Sequence, residues 1–348
     1  MYKWWLYALK RVLRGVVIYV ILIFIFSLLF NKVSEETTRN MIFETIQAES
    51  RGLKLKSASD MIAWRQSREK ALFKKYKLDR SYMERVFNNA VNIITFNFGS
   101  SVQIKSSRGS KNVVDILMEA LPRTVLLFTT ASLIMTVLGL GLGLKKAQKP
   151  GGKFDKGSSI LTLILQGMPT WWVGLLFILF FSYNLKIFPS GGVNSLPIPS
   201  GLMFLLDRLW HMCLPLITLV SLSVWSMGFT VRNLVVGTLQ EDYIMSARAR
   251  GIPERKVLFG HTLRTSAPPI VTIVLLNLIV SMSGGMIFEG IFSWPGLGNL
   301  YWISVQQNDV PVLMGNLALT TGLYQLGLVL LDLLYGFLDP RIKVGGKA

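Results

Sequence analysis

The chain has 348 residues, of which 51% are hydrophobic and 16% charged, against about 25% charged in an ordinary soluble domain, and this excludes a single water-soluble globule. The formal charge of +18 would suit a nucleic-acid binder, but the cations gather beside apolar runs and no nucleic-acid motif accompanies them. A lipid surface, not nucleic acid, is the expected partner.

Residues 1–14 are basic and aromatic (Trp4, Trp5, Lys10, Arg11, Arg14), and the apolar run Gly15 to Phe30 follows. No Ala-x-Ala type cleavage site comes after it, so an uncleaved first span is expected, with snorkelling cations letting the helix begin near Tyr7. Residues 31–121 are soluble in composition, and Met61, Trp64, Leu72 and Phe73 fall roughly on one side of a helix. Two readings of this insertion stand: a platform facing a soluble partner, or a lid that only stabilises the fold.

A second span is expected over about Pro122–Leu144, with Pro122 in its first turn. Gly139, Gly141 and Gly143 lack dinucleotide-loop spacing and read as close-packing positions in lipid. Lys145, Lys146, Lys149, Lys153 and Lys156 then form a short basic connection. The third span, about Ser158–Tyr183, is interrupted by Gln166-Gly167-Met168-Pro169-Thr170. A proline at membrane depth frees a carbonyl that neighbours or water must satisfy. Gln166, Met168 and Pro169 therefore serve either a transport path or a buried kink, and Trp171 and Trp172 read as packing.

Residues 184–208 form a Pro/Gly-rich loop with little positive charge, and a fourth span covers about Trp210–Val231. His211 reads as an interface residue. Cys213, the single cysteine, lies inside the span, so neither a disulfide framework nor a metal site is expected. The polar stretch Thr238 to Pro269 comes next. Thr238 and Glu241 have capping-box spacing, Gly251 sits where a left-handed residue would stop a helix, and Pro253 suits the first turn of another. Two short helices joined by a tight bend are expected, carrying Arg248, Arg250, Arg255, Lys256 and Arg264. A fifth span runs from about Pro268 to Phe288, with Asn277 and Ser281 as path or interhelical hydrogen-bonding residues. A sixth covers about Leu313–Phe337, with Asp332 near its end.

The run DYIMSARARGIPERKVLFGHTLR resembles the cytoplasmic signature loop of ABC-importer permeases, specifically the dipeptide/oligopeptide branch. The family pattern is Glu-Ala-Ala, three residues, then Gly. This chain keeps Ala247 and Gly251 and has Met245 and Ser246 where Glu and the first Ala would fall. The outer-loop run Phe288 to Gly298, with Glu289, Trp294, Pro295 and Gly296, is similar to a second motif of that branch. Asp309 with Pro311, the Phe188–Gly192 turn and the tail DLLYGFLDPRIK extend the resemblance over roughly 71–348.

The short-loop charges, including Arg232 and the tail's Arg341, Lys343 and Lys347, predict both ends in the cytoplasm. The expected fold is thus an all-α integral membrane protein of six helices. It resembles a type I ABC importer permease with a long extracytoplasmic insertion between the first two. Its expected segments are 1–30 (N-terminus and first span), 31–121 (insertion), 122–337 (core, with a coupling loop at 238–267) and 338–348 (tail). The resemblance implies a multi-pass permease in a prokaryotic cell membrane, importing peptides or related solutes such as oligosaccharides. It further implies two ATPase subunits, a second homologous permease in a heterodimer and an extracytoplasmic solute-binding protein. Asp242, Tyr243, Ala247, Arg248, Ala249, Arg250, Gly251 and Arg255 would carry the ATPase coupling. The sequence contains no G-x-x-x-x-G-K-[ST] loop, so no cofactor is expected in this chain, and ATP with Mg would sit on the partner ATPases. A self-sufficient secondary transporter or channel, the alternative reading, would call for paired intramembrane carboxylates or an internal repeat; only Asp332 is such a carboxylate and no repeat is seen. No catalytic motif supports an enzyme.

Overall fold

The computed structural model describes residues 2–52 and 58–338. The side chains of Lys3 and Trp4 and the tail cations Arg341, Lys343 and Lys347 lie outside the described residues. The chain divides into two compact units: one holds the described residues up to Glu119 and Leu300–Val329, the other Ala120–Asn299 and the described residues from Leu330 on. Among the described residues, five helices are long and apolar enough to cross a membrane, or six if one sharply bent pair counts as a span.

The first unit is built on α1 (Tyr2–Arg51), α2 (Ala58–Lys75) and α3 (Tyr82–Ile94). The expected end of the first helix near Phe30 is not there. Neither glycine nor proline occurs between Gly15 and Gly52, so polar residues end the apolar stretch without ending the helix. Glu35 binds Arg39 one turn on and reaches Arg85 of α3 at 2.6 Å. Glu49 takes a two-pronged bond from Arg68 of α2. Ile42, Ile46, Leu72 and Leu78 form a small core there, with Trp64 and Phe73 packed against it. A second core joins Ile23 of α1 and Ala90 and Ile93 of α3 to Val310, Met314 and Ala318 of α13 (Val310–Leu338). Asp309 starts α13: its buried carboxylate accepts from the Val312 amide, the Ser101 hydroxyl and the Gln103 and Ile104 amides. Its side chain thus caps the helix and ties residues 101–104 to it.

The second unit contains most of α4 (Val113–Gln148), then α5 (Lys153–Gln166), α6 (Thr170–Phe177, continuing as a π-helix to Asn184) and α7 (Leu202–Leu239). Pro122 lies inside α4 rather than in its first turn. Asn112, whose side chain accepts from the Val114 amide, sets the start earlier. Lys145 and Lys146 belong to the last turn of α4, not to a loop. Helices α5 and α6 meet at 95°, so the interruption at Gln166–Thr170 is a corner rather than a kink. Helix α7 runs well beyond the expected limits at both ends.

Two of the three α4 glycines seat α7. A Cβ on Gly139 would lie 2.6 Å from Met227, and one on Gly143 would lie 2.6 Å from Val231. Gly228 of α7 reciprocates against Leu142, while Gly141 faces open space. Gly143→Ile is therefore expected to cost about 1–3 kcal/mol through overpacking, and Gly141→Ala to cost nothing or stabilise slightly. Thermal unfolding of the detergent-purified chain checks this, and equal losses at both positions would rule out the seating.

Asp155, in the first turn of α5, is 3% exposed and accepts from Arg232 of α7 at 2.7 Å and from the Gly151 amide at 2.9 Å. Removing one partner strands a buried charge. Arg232→Leu alone should cost about 3–5 kcal/mol. Pairing it with Asp155→Leu should recover most of that loss, and a double variant as unstable as the single would show the pair to be incidental.

Candidate functional site

The polar stretch after α7 folds into α8 (Asp242–Ala249) and then α9 (Glu254–Lys256), a π-helical turn (Val257–Thr262) and α10 (Leu263–Ser281). The expected capping box does not form. α7 continues through Thr238, whose hydroxyl bonds to the Leu234 carbonyl at 3.1 Å and pairs with Ser266 at 2.8 Å. Glu241 takes the N-cap position of α8 by backbone alone. The second helix is not short either. Glu254–Ser281 is one apolar element with Pro268 and Pro269 inside it, and Pro253 stands at its N-cap position, one residue before the expected place.

The end of α8 follows the sequence expectation. Gly251 has φ +76°. Its amide bonds to the Arg248 carbonyl at 2.9 Å, and the Ile252 amide reaches back to Ala247 at 3.3 Å. This is a Schellman closure, and the left-handed residue is what allows it. Arg248 bridges the bend to Glu254, with Nε 3.1 Å from the carboxylate. That exposed pair fixes direction more than it adds stability.

One face of α8 is anchored. Ile244 is buried in a core with Leu144, Val231, Val235, Leu239 and Val257, and Ala247, one turn on, is 3% exposed. Burying an Ile side chain contributes about 2 kcal/mol, so α8 rides rigidly on α4, α7 and the start of α10. Ala247 therefore belongs to the attachment face rather than to the exposed one. The outer face shows Asp242, Tyr243, Met245, Ala249, Arg250, Gly251 and Arg255, all exposed. Beside it opens a cleft of about 300 Å³ lined by Ala147, Leu239, Arg255, Leu258 and Phe259, among others.

The path candidates do not share a partner. Gln166, exposed at the α5–α6 corner, donates to Ser226 of α7 at 3.1 Å. Met168 is half-buried and Pro169 exposed. Ser281 donates to the Leu278 carbonyl at 2.7 Å and pairs with Thr129 of α4 at 2.9 Å, so its hydroxyl fastens two helices. Asn277, one turn earlier on α10, is half-buried. His211 is buried with Nδ1 2.9 Å from the Asp207 carbonyl, as suits a packed interface residue.

The outer-loop residues form a second constellation, around α11 (Met286–Ile291) and the start of α12 (Leu297–Gln306). Glu289 is fully buried. One carboxylate oxygen accepts from the Thr124 hydroxyl at 2.8 Å, the other from the Asn299 amide at 2.9 Å. Thr124 in turn accepts from the Leu297 amide at 2.7 Å. Trp294, 1% exposed, donates its indole N–H to the Arg123 carbonyl at 3.0 Å, and Arg123 reaches the Pro295 carbonyl at 3.4 Å. Glycines make room for the acid. A Cβ on Gly284 or Gly296 would stand 2.6 Å from a Glu289 oxygen, and one on Gly298 would stand 2.6 Å from the Gly285 backbone. Burial pushes the Glu289 carboxyl up from its ordinary 4.5 to about 7, against the opposing pull of the Asn299 amide, the Thr124 hydroxyl and the Gly298 and Gly285 amides. Sequence reading found Glu289 but missed Thr124, which shares no local pattern with it.

Residues 135–344, more than half of the chain, match the model of the family described as binding-protein-dependent transport system inner membrane component. The chain belongs to that family. The permease is also 33% identical to the oligopeptide transport system permease protein AppB of Bacillus subtilis, over 72% of this chain and 78% of the relative. It is 33% identical to the dipeptide transport system permease protein DppB of the same organism, over 78% and 83%. The Escherichia coli K12 DppB is 32% identical over 67% of this chain and 75% of its own. The permease is therefore a multi-pass component of the inner membrane, and the matched region holds α8, the Gly251 closure and Glu289, while Thr124 lies before it.

Proposed function

We propose that the permease imports peptides as one transmembrane subunit of an ATP-driven transporter, and that α8 is its coupling element. The observation that carries the reading is the construction of α8: a short helix with a glycine-closed end, a bulk-buried inner face and a polar outer face beside an open cleft. Such a helix turns force on its outer face into displacement of α4, α7 and α10 rather than into local bending. Arg250 and Arg255 give that face cationic contacts, and Tyr243 and Phe259 give it apolar ones. The inner side chains transmit, and the outer ones dock.

In this reading the cytoplasmic side carries α8, the basic residues at the α4–α5 connection and both chain ends, as the short-loop charges favour. Residues 31–121 face outside toward a solute-binding protein. Two ATPase subunits hold ATP and Mg, and a second, related permease completes a heterodimer. The dipeptide and oligopeptide names of the relatives support peptides as cargo. Gln166 at the corner and the half-buried Asn277 supply uncharged carboxamides suited to a peptide main chain, with Met168 and Pro169 as the apolar wall beside Gln166. Ser281 is committed to Thr129 and contributes to the bundle instead.

The test uses the complete transporter in proteoliposomes, with Tyr243→Cys and Arg250→Cys assayed for disulfide cross-linking to cysteines on the ATPase surface. Cross-linking that changes with bound nucleotide supports the reading. Peptide uptake driven by an ion gradient alone, with no ATPase present, would replace it with a secondary transporter.

A further inference from the structure

The first unit also contains a pocket lined by polar side chains. A cavity of about 200 Å³ lies between α1, α3 and the start of α13, walled by Ser27, Asn31, Asn89, Asn92, Phe30 and Phe98, among others. A second cavity of about 230 Å³ shares Asn31, Ser34, Asn89 and Asn92 with it and continues to Arg85, Lys75 and Lys77. Ser27 and Asn31, one turn apart on α1, are 2% and 3% exposed. The Ser27 hydroxyl, the Asn31 Nδ2 and the Arg85 Nε are all buried without a hydrogen-bond partner. Buried donors left unmade are costly and call for an explanation. Three of them around one pair of cavities define an acceptor-rich occupant.

The charges narrow its class. Glu35 is already bound by Arg39 and Arg85, so with Lys75 and Lys77 the second cavity is net cationic. The first cavity carries no charged side chain and offers carboxamides, each a donor and an acceptor. A bare phosphate would leave the carboxamide acceptors idle. A carboxylate joined to a main-chain amide uses both parts. We propose that this pocket binds the carboxyl terminus of a peptide, its carboxylate toward Arg85 and Lys77 and its last amides between Asn31 and Asn92. The pocket is separate from α8, and its occupancy does not depend on the coupling reading.

The experiment is calorimetric titration of the full-length permease, alone in zwitterionic-lipid nanodiscs, with N-acetyl-trialanine and with its carboxamide. Saturable binding of the free acid is expected, with at least a tenfold loss for the carboxamide. Asn31→Leu and Lys77→Gln should each weaken the acid at least tenfold, and thermal unfolding confirms that each variant is folded. If Asn31→Leu does not fold, Lys77→Gln and Asn92→Ala carry the test. Equal binding of acid and carboxamide, indifference to the variants or no saturable binding would overturn the proposal. So would displacement of the signal by phosphatidylglycerol nanodiscs, which would make the pocket a lipid site. With no ATPase in the sample, none of these results bears on coupling.

Discussion

Glu289→Ala is expected to lower the unfolding free energy of the permease by about 3 kcal/mol or more, the largest loss foreseen for a single side chain outside the ion pair. The buried carboxylate is the acceptor for the Thr124 hydroxyl and the Asn299 amide, and each buried donor stranded by its removal costs about 1–3 kcal/mol. Thr124 also holds Leu297, so the loss spreads along the turn that carries Trp294 and Pro295. The same site predicts a pH dependence. The Glu289 carboxyl titrates near 7 in the folded chain against an ordinary 4.5, so the folded state binds the proton more tightly than the unfolded state. Its contribution to stability is fully present below about pH 4.5 and is lost as pH rises through about 7, by a total on the order of 3 kcal/mol. Glu289→Gln removes the titration, its single amide oxygen keeping one of the two accepted bonds, so its stability should be nearly flat across that window. Thermal unfolding in detergent between pH 5 and pH 8 decides. A wild-type profile that rises with pH, or a Gln variant that follows the wild-type slope, would show that the acid is ionised and otherwise paired.

The contrast between Glu289 and Thr124 shows where sequence reading stops. Apolar runs of spanning length, the corner at Gln166–Thr170 and the left-handed Gly251 are local signals, written in composition and in residue types with a single backbone use. Thr124 stands 165 residues from Glu289, and nothing in its neighbourhood marks it as half of a clamp. The burial of Ala247 was unreadable for a related reason. A small residue beside arginines suits either face of a helix, and only its burial in the folded chain settles which. Helix limits failed where polarity was taken for a terminator. Residues 31–51 are polar but contain no breaker, so α1 goes on, and Thr238 had capping spacing but lay inside a helix already under way. Capping and polarity propose ends, and tertiary packing selects among them. The Schellman closure of α8 survived because a left-handed glycine cannot be absorbed by a continuing helix.

That closure carries the second large prediction. Gly251→Val should reduce binding-protein-stimulated ATP hydrolysis by the assembled transporter at least tenfold while the permease still inserts and purifies with its partners. At φ +76° a Cβ costs about 1–2 kcal/mol, more for a β-branched residue, and the cheapest relief is to unwind the last turn of α8. Unwinding releases the Ile252–Ala247 and Gly251–Arg248 bonds and turns Arg250 away from the line on which Ile244 is anchored. The core around Ile244 keeps its contacts, so the global stability loss stays small while force delivered at the outer face is dissipated in the bend. Gly251→Pro should be worse, because proline can neither reach a positive φ nor donate to Arg248. Gly251→Asn should retain most of the activity, since asparagine tolerates the left-handed region. The order Gly, Asn, Val, Pro in coupled hydrolysis, with assembly unchanged through Val, is what a rigid transmitter requires. A Val variant with wild-type coupled rates would mean that the backbone beyond Ala249 transmits nothing, and would move the coupling to the Arg255 and Phe259 side of the cleft.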